Sequence, residues 1–141
     1  MIYMKFIKFF FVVIFSFFTV NLIYADENEK SNYIDITFAG DIMAHNVNFR
    51  MKDYNKIYKD ILNITRNDDL TFCNLETPVD GTIPYETYPT FNVQPPYLDA
   101  AVKAGFEVFT LANNHTNDQN ESGIKQTYKN FNILKDNPEK T

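Results

Sequence analysis

Three short apolar segments, each followed directly by polar residues, constrain the fold of this sequence more than any other feature. Their alternating or continuous apolar pattern and their β-branched and aromatic residues predict strands. The predicted strands cover residues 34–38, 70–75 and 106–111. The predicted helices cover residues 53–67, 96–104 and 122–135. This β-α-β-α-β-α order predicts an α/β fold with a mainly parallel sheet and right-handed crossovers.

The first residues of the chain are basic and precede an apolar run at residues 9–20 and a small residue, Ala25. This arrangement predicts a signal-peptide helix over residues 1–25, cleaved after Ala25. The alternative is an uncleaved membrane anchor through residues 6–23, which approach the lower length limit for a span. Either interpretation places the protein in the cell envelope, the periplasm or the extracellular space. The charged residues 26–32 lack periodicity and are predicted to form a linker.

Composition excludes several classes of protein. The formal net charge of -5 argues against nucleic acid as a partner, since non-specific binding to nucleic acid needs a basic surface. A hydrophobic content of 45% excludes a wholly disordered chain. The single cysteine, Cys73, excludes an intramolecular disulfide and a cysteine-based zinc finger. Its place inside a predicted strand indicates a small buried side chain rather than a nucleophile.

Polar residues with metal-binding side chains follow each predicted strand. They are Asp41 and His45 after the first, Asn74 and Glu76 at the end of the second, and Asn113, Asn114, His115 and Asp118 after the third. Because the carboxyl ends of parallel strands share one edge of the sheet, we expect these side chains to lie together. Carboxylate, amide oxygen and imidazole groups bind Mg, Mn, Fe or Zn. The pattern predicts a divalent-metal site at this edge.

Each of these residues, considered singly, also has a structural interpretation. Asp41 could cap a helix or form an Asx-turn, and Glu76 could be an exposed loop acid. The asparagine pair could form a turn, and either histidine could be structural or simply exposed. The proline-rich segment 77–96 predicts an ordered loop, whose aromatic residues either form a substrate wall or pack over the strand ends. The coincidence of polar groups at three strand ends favours the metal site.

Five motifs, in this order, resemble one known family. They are Gly-Asp-Ile-Met-Ala-His (40–45), Asn-Leu-Glu-Thr (74–77), Tyr-Pro-Thr-Phe-Asn (88–92), Ala-Gly-Phe (104–106) and Leu-Ala-Asn-Asn-His-Thr-Asn-Asp (111–118). Together they resemble the CapA family of bacterial capsule and poly-γ-glutamate synthesis proteins, which has a calcineurin-like metallophosphoesterase fold. The resemblance implies that residues 33–141 are the N-terminal portion of a CapA-like domain, an incomplete metallophosphoesterase-like sandwich.

The resemblance also implies roles for individual residues. Asp41, Glu76 and Asn114 would be metal ligands, His45 an additional ligand, His115 the catalytic histidine, and Asn74, Asn113 and Asp118 supporting residues. The cofactor would be a divalent metal (Mn, Mg, Fe or Zn), binuclear in full-length members of the family. The partners would be membrane-associated components of capsule or polymer synthesis, and the substrate an anionic polymer or a phosphoester.

Two departures from the family pattern bear on activity. Asn120 stands where the family usually has glycine, although asparagine also tolerates a left-handed turn. Family members continue into a second half with further histidine motifs, whereas this sequence has no histidine after His115. We therefore expect a truncated chain that carries half of the metal site and is inactive by itself. Two other interpretations stay open, a secreted metal-dependent phosphoesterase and a non-catalytic fragment of a split or truncated gene.

Overall fold

The computed structural model describes residues 33–135. The predicted signal peptide (1–25), the alternative anchor (6–23) and the predicted linker (26–32) lie outside the described residues. Within the described range, no helix combines the length and the apolar character that crossing a membrane requires.

The three predicted strands are present and form one sheet. They are β1 (Ile36–Ile42), β2 (Leu70–Leu75) and β3 (Val108–Thr110). The strand order is β1-β2-β3, and both neighbouring pairs are parallel. The predicted α/β class with a mainly parallel sheet is therefore confirmed.

β1 continues beyond residue 38, where the sequence pattern predicted its end, and runs past Gly40. The pairing of β1 with β2 shifts register between Phe38 and Asp41, so the glycine lies at an irregularity inside the strand. After the shift, Asp41 lies opposite Asn74. The irregularity thus decides which polar residues face each other at the carboxyl end of the sheet.

The prediction of one continuous helix over residues 53–67 is wrong. The segment contains a 3₁₀ turn at Tyr54–Ile57 and one turn of α-helix, α1, at Leu62–Thr65; another 3₁₀ turn precedes them at Asn48–Arg50. Ile61 N–H donates to the carbonyl of Tyr58 at 3.0 Å, a bond to the third residue back rather than the fourth. Asparagine, tyrosine, threonine and isoleucine are weak helix formers and are frequent here, so the apolar spacing produces successive tight turns.

The second helix confirms its prediction closely. α2 spans Pro95–Lys103, with proline in the first turn, where a missing N–H group has no intrahelical partner to lose. Gly105 follows with a φ of 98°, in the left-handed region that favours glycine. A Cβ atom at this position would lie 2.0 Å from the carbonyl oxygen of Thr65, so the chain approaches α1 too closely for any side chain.

The last helix, α3, spans Asn120–Lys135 and begins two residues before the predicted range of 122–135. Asn120 has a φ of 55°, which agrees with the expectation that asparagine can take the left-handed conformation there. The helix thus begins at the residue that stands in place of the family's usual glycine.

The proline-rich segment 77–96 is an ordered loop, as predicted. Asn92 is completely buried, and its side chain donates to the carbonyl of Asp80 and accepts from Asp80 N–H, both at 3.0 Å. The loop is also tied to α3, because Val79 N–H donates to Thr127 Oγ1 at 2.8 Å. Side-chain amides and hydroxyls therefore add to the two isolated backbone bridges of this loop, Val79 with Val93 and Glu86 with Asn92.

Within the described residues, side chains pack against one face of the sheet. Side chains of the strands and of α2 pack there, among them Ile42, Cys73, Leu75, Leu98 and Ala101. On the other face Phe38 is 75% exposed and stacks on Phe72 with the ring centroids 5.0 Å apart. Alternate residues of β2 are buried, because packing reaches the strand from one side.

Cys73 is buried, as its position in a strand predicted. Burial and the nearby Glu107 carboxylate raise the pKa of its thiol to about 12. The thiolate is therefore strongly disfavoured at neutral pH, which agrees with a packing role.

Candidate metal centre

The carboxyl ends of β1 and β2 bring two carboxylates to one amide. Asn74 Nδ2 donates to Asp41 Oδ1 at 2.9 Å, and it lies 3.5 Å from Glu76 Oε2 on its other side. Asp41 is exposed and Glu76 is half-buried. The opposition of Asp41 and Asn74 in the sheet register therefore gathers three oxygen-bearing side chains at the sheet edge.

The electrostatics of this group favour a cation. Desolvation raises the pKa of the Glu76 carboxyl, and the hydrogen bond and negative charge of Asp41 raise it further. His115 acts in the opposite direction on the same pKa, which places its ring within electrostatic reach of Glu76. A carboxylate whose ionisation is disfavoured by a neighbouring carboxylate is stabilised by a positive ion beside it.

Asn113 fastens the turn after β3 to β2. Its Nδ2 atom donates to Asn74 Oδ1 at 3.1 Å and to the carbonyl of Leu75 at 3.0 Å. Its Oδ1 atom accepts from His115 N–H at 3.0 Å. This asparagine uses both ends of its amide for structure, and it sets the position of the backbone that carries His115.

Asn114 is placed differently from its neighbour. It is exposed, and its side chain forms no hydrogen bond with any residue in the described part of the chain. The structure thus brings Asn113, rather than Asn114, into direct contact with the Asn74 amide. The amide of Asn114 remains available to an incoming ligand.

His115 is held by a carboxylate and an aromatic ring. Its Nδ1 atom lies 2.8 Å from Asp118 Oδ2, and the two side chains are 15% and 12% exposed. The buried ring of Phe91 meets the imidazole edge to face, with the centroids 4.7 Å apart. These contacts orient the imidazole before any ligand arrives.

The ring of His45 also contacts the same phenylalanine. Its ring centroid is 5.7 Å from that of Phe91 and 6.4 Å from that of Tyr88. Phe91 packs over the strand ends, whereas Tyr88 is 70% exposed beside His45. Of the two open interpretations of the loop aromatics, burial agrees with packing for Phe91, whereas a substrate wall at Tyr88 stays a prediction.

We compared the chain with known proteins. A family model described as bacterial capsule synthesis protein PGA_cap matches residues 35–135. The chain belongs to this family. The match confirms the resemblance to the capsule synthesis proteins, covers almost all the described residues, and connects the chain with capsule synthesis. No match was found among curated proteins.

The donor set of this family member fits part of a metal centre. Asp41 and Glu76 present carboxylate oxygens, the type of ligand that hard divalent cations prefer, on either side of one amide, and His115 lies nearby. Within residues 33–135, however, no three His, Cys, Asp or Glu side chains converge tightly enough to enclose an ion. Further ligands would have to be amide oxygens, water or groups outside the described residues.

Two threonines also form hydrogen bonds within the candidate site, although the sequence pattern did not predict them as site residues. Thr110 Oγ1 donates to Asn74 Oδ1 at 3.1 Å, and Thr116 Oγ1 accepts from Asn113 N–H at 3.0 Å. Thr110 could have been found from the sequence, because it is a polar residue at the end of the third predicted strand. Thr116 lies inside the quoted motif 111–118, but its role depends on the turn geometry.

Proposed function

We propose that residues 33–135 form one half of a divalent-metal centre that serves bacterial capsule or poly-γ-glutamate synthesis. The reaction would be hydrolysis or transfer at a phosphoester, γ-glutamyl or peptide bond of an anionic polymer. The observation that carries the proposal is the pair of carboxylates, Asp41 and Glu76, held by the Asn74 amide next to His115. The family match supports the connection with capsule synthesis.

In this proposal Asp41 and Glu76 hold the metal (Mn, Mg, Fe or Zn), and Asn114 and His45 extend the ligand set. A bound divalent cation polarises a carbonyl or phosphoryl oxygen and stabilises the negative charge that develops on it. His115, held by Asp118, donates or accepts the proton at the reacting group. Asn74 and Asn113 keep the carboxylates and the histidine backbone in register.

The proposed location of the protein depends on the N-terminal residues. A signal peptide over residues 1–25, or an anchor through residues 6–23, would deliver the chain to the cell envelope. There it would meet membrane-associated components of polymer synthesis. The missing metal ligands would come from outside residues 33–135, so we expect no turnover from this chain by itself.

Metal binding can be tested directly. We expect Mn²⁺ to bind the chain lacking residues 1–25, observed by electron paramagnetic resonance, and Asp41→Ala to weaken binding by at least about tenfold. Asp60→Ala is the matched control, because Asp60 is an exposed acid whose carboxylate lies 3.9 Å from Lys59 Nζ. Equal Mn²⁺ affinity in the wild type and Asp41→Ala would overturn the metal proposal.

Turnover separates the remaining interpretations. Hydrolysis of a generic aryl phosphate that needs Mn²⁺ and is lost in Asp41→Ala would favour a secreted phosphoesterase over the half-site. Mn²⁺ binding without turnover is the result that the half-site predicts. Absence of both would favour a non-catalytic chain.

A further inference from the structure

We propose that Asp118 is a positioning residue that fixes His115 as the tautomer protonated on Nδ1 and couples this tautomer to the 77–96 loop. The inference rests on the proposed role of His115, but the hydrogen bonds behind it require neither metal nor turnover. It goes beyond a general supporting role, because it specifies a protonation state and a mechanical connection.

A single carboxylate oxygen joins the two parts. Asp118 Oδ2 accepts from Phe91 N–H at 2.7 Å and lies 2.8 Å from His115 Nδ1. Both distances are at the short end of the range for N–H···O bonds. The same atom therefore holds the loop backbone and the imidazole ring.

The carboxylate decides which nitrogen of the ring carries the proton. An ionised aspartate can only accept hydrogen bonds, so His115 Nδ1 must donate. In the neutral imidazole the remaining nitrogen, Nε2, then has its lone pair exposed and can accept a proton or bind a ligand. A histidine oriented in this way is prepared to act as a base or a ligand, and as an acid after it takes up a proton.

Both backbone polar groups of Phe91 form hydrogen bonds with the turn after β3. Its N–H group bonds to Asp118, and its carbonyl accepts from Gln119 Nε2 at 3.1 Å. Gln119 Nε2 also donates to Glu86 Oε2 at 3.1 Å, so a second point of the loop is held by the same side chain. The Phe91 ring packs on His115 itself, and a displacement of the loop must therefore disturb the imidazole.

This coupling assigns a function to the loop in the proposed site. A substrate that moves the exposed rim of the loop, where Tyr88 lies, would change the hydrogen bond that orients His115. Loop position and the orientation of the His115 ring would then change together. A loop that merely covers the site would not have this effect.

The tautomer can be read from the imidazole nitrogens by long-range ¹H–¹⁵N NMR at a fixed pH at which His115 is neutral. The chain has two histidines, so His45→Gln assigns the two ring systems. We expect the wild type to show a protonated Nδ1 and an unprotonated Nε2 for His115. In Asp118→Ala we expect a shift toward the Nε2-protonated form, with the Phe91 amide proton moving upfield in the same spectra.

Asp118→Asn is the second variant, because it keeps the size of the side chain if the alanine variant does not fold. Its amide group can donate to Nδ1, which again favours the Nε2-protonated form. Asp60→Asn is the control and should change neither signal. A wild-type His115 protonated on Nε2, or a tautomer unchanged in both Asp118 variants, would overturn the inference. These spectra need no metal, so a failure of Mn²⁺ binding would be a separate result.

Discussion

The turns that follow β1 and β3 carry one histidine each, and they are built in opposite ways. His115 is mostly buried, with Nδ1 bonded to Asp118 and its backbone N–H bonded to the Asn113 side chain. His45 is exposed, and its turn is closed by the backbone, with His45 N–H donating to the carbonyl of Met43 at 3.0 Å. Both rings nevertheless contact Phe91.

This difference suits the two histidines to different roles. An imidazole held by a buried carboxylate keeps one orientation and one tautomer, as proton transfer requires. An exposed imidazole in a turn closed by backbone bonds can change its rotamer at low cost and adjust to a ligand that arrives later. In the proposed site we therefore expect His115 to transfer the proton and His45 to act as an adaptable ligand.

The largest expected effect comes from removing the ring that both turns share. Phe91→Ala should lower the free energy of unfolding by about 3–5 kcal/mol, because a buried aromatic side chain is lost and a cavity remains. Urea denaturation followed by circular dichroism measures the change. Phe38→Ala is the matched control, since that ring is 75% exposed and its loss should cost less than about 1.5 kcal/mol. Similar losses in the two variants would mean that Phe91 is not the common support.

The adjacent asparagines of the β3 turn provide the next test. Asn113→Ala should cost about 1–3 kcal/mol, because it leaves the Leu75 carbonyl and His115 N–H without their partner. Asn114→Ala should change stability by no more than about 0.5 kcal/mol, since its side chain is exposed. The same denaturation series compares them. A larger loss of stability in Asn114→Ala than in Asn113→Ala would show that Asn114, and not Asn113, is the structural asparagine.

The smallest effect concerns the carboxylate pair between the two turns, and it depends on pH. Because the pKa of Glu76 is raised in the folded state, the folded protein holds this proton to higher pH than the unfolded chain does. Stability must therefore fall as the pH rises from the ordinary pKa of glutamate through the raised value. Glu76→Gln should be more stable than the wild type at pH 7, and the gain should vanish below about pH 4.

The control for this series is Glu121→Gln, at an exposed acid paired with Lys125 on the surface of α3. It should show no stabilisation at pH 7 in the same thermal denaturation experiments. Added Mn²⁺ should reverse the order of wild type and Glu76→Gln if the pair binds metal. A wild type more stable than Glu76→Gln at pH 7 without metal would contradict the repulsion between Asp41 and Glu76.

Local patterns were sufficient for the strands and for the edge at which the candidate site lies. The apolar run of residues 70–75 and the direction of the strands predict that Asp41, Asn74 and Glu76 share one edge of the sheet, and the register of β1 then decides that Asp41 lies opposite Asn74. The break in the helix predicted over residues 53–67 could not be read in this way. Its apolar spacing was helical, but its residues favour short turns stabilised by packing.

By itself the sequence determined the α/β order, the ordered loop and the gathering of carboxylates, amides and imidazoles at one edge, because these depend on periodicity and on strand direction. Only the tertiary structure decided that Asn113 rather than Asn114 holds Asn74, and that Asp118 holds both His115 and Phe91. These choices depend on contacts between residues far apart in the chain, such as Asn113 with Asn74 and Asp118 with Phe91. Hydrogen bonds are decided by distances of a few tenths of an ångström, which no spacing of residue types specifies.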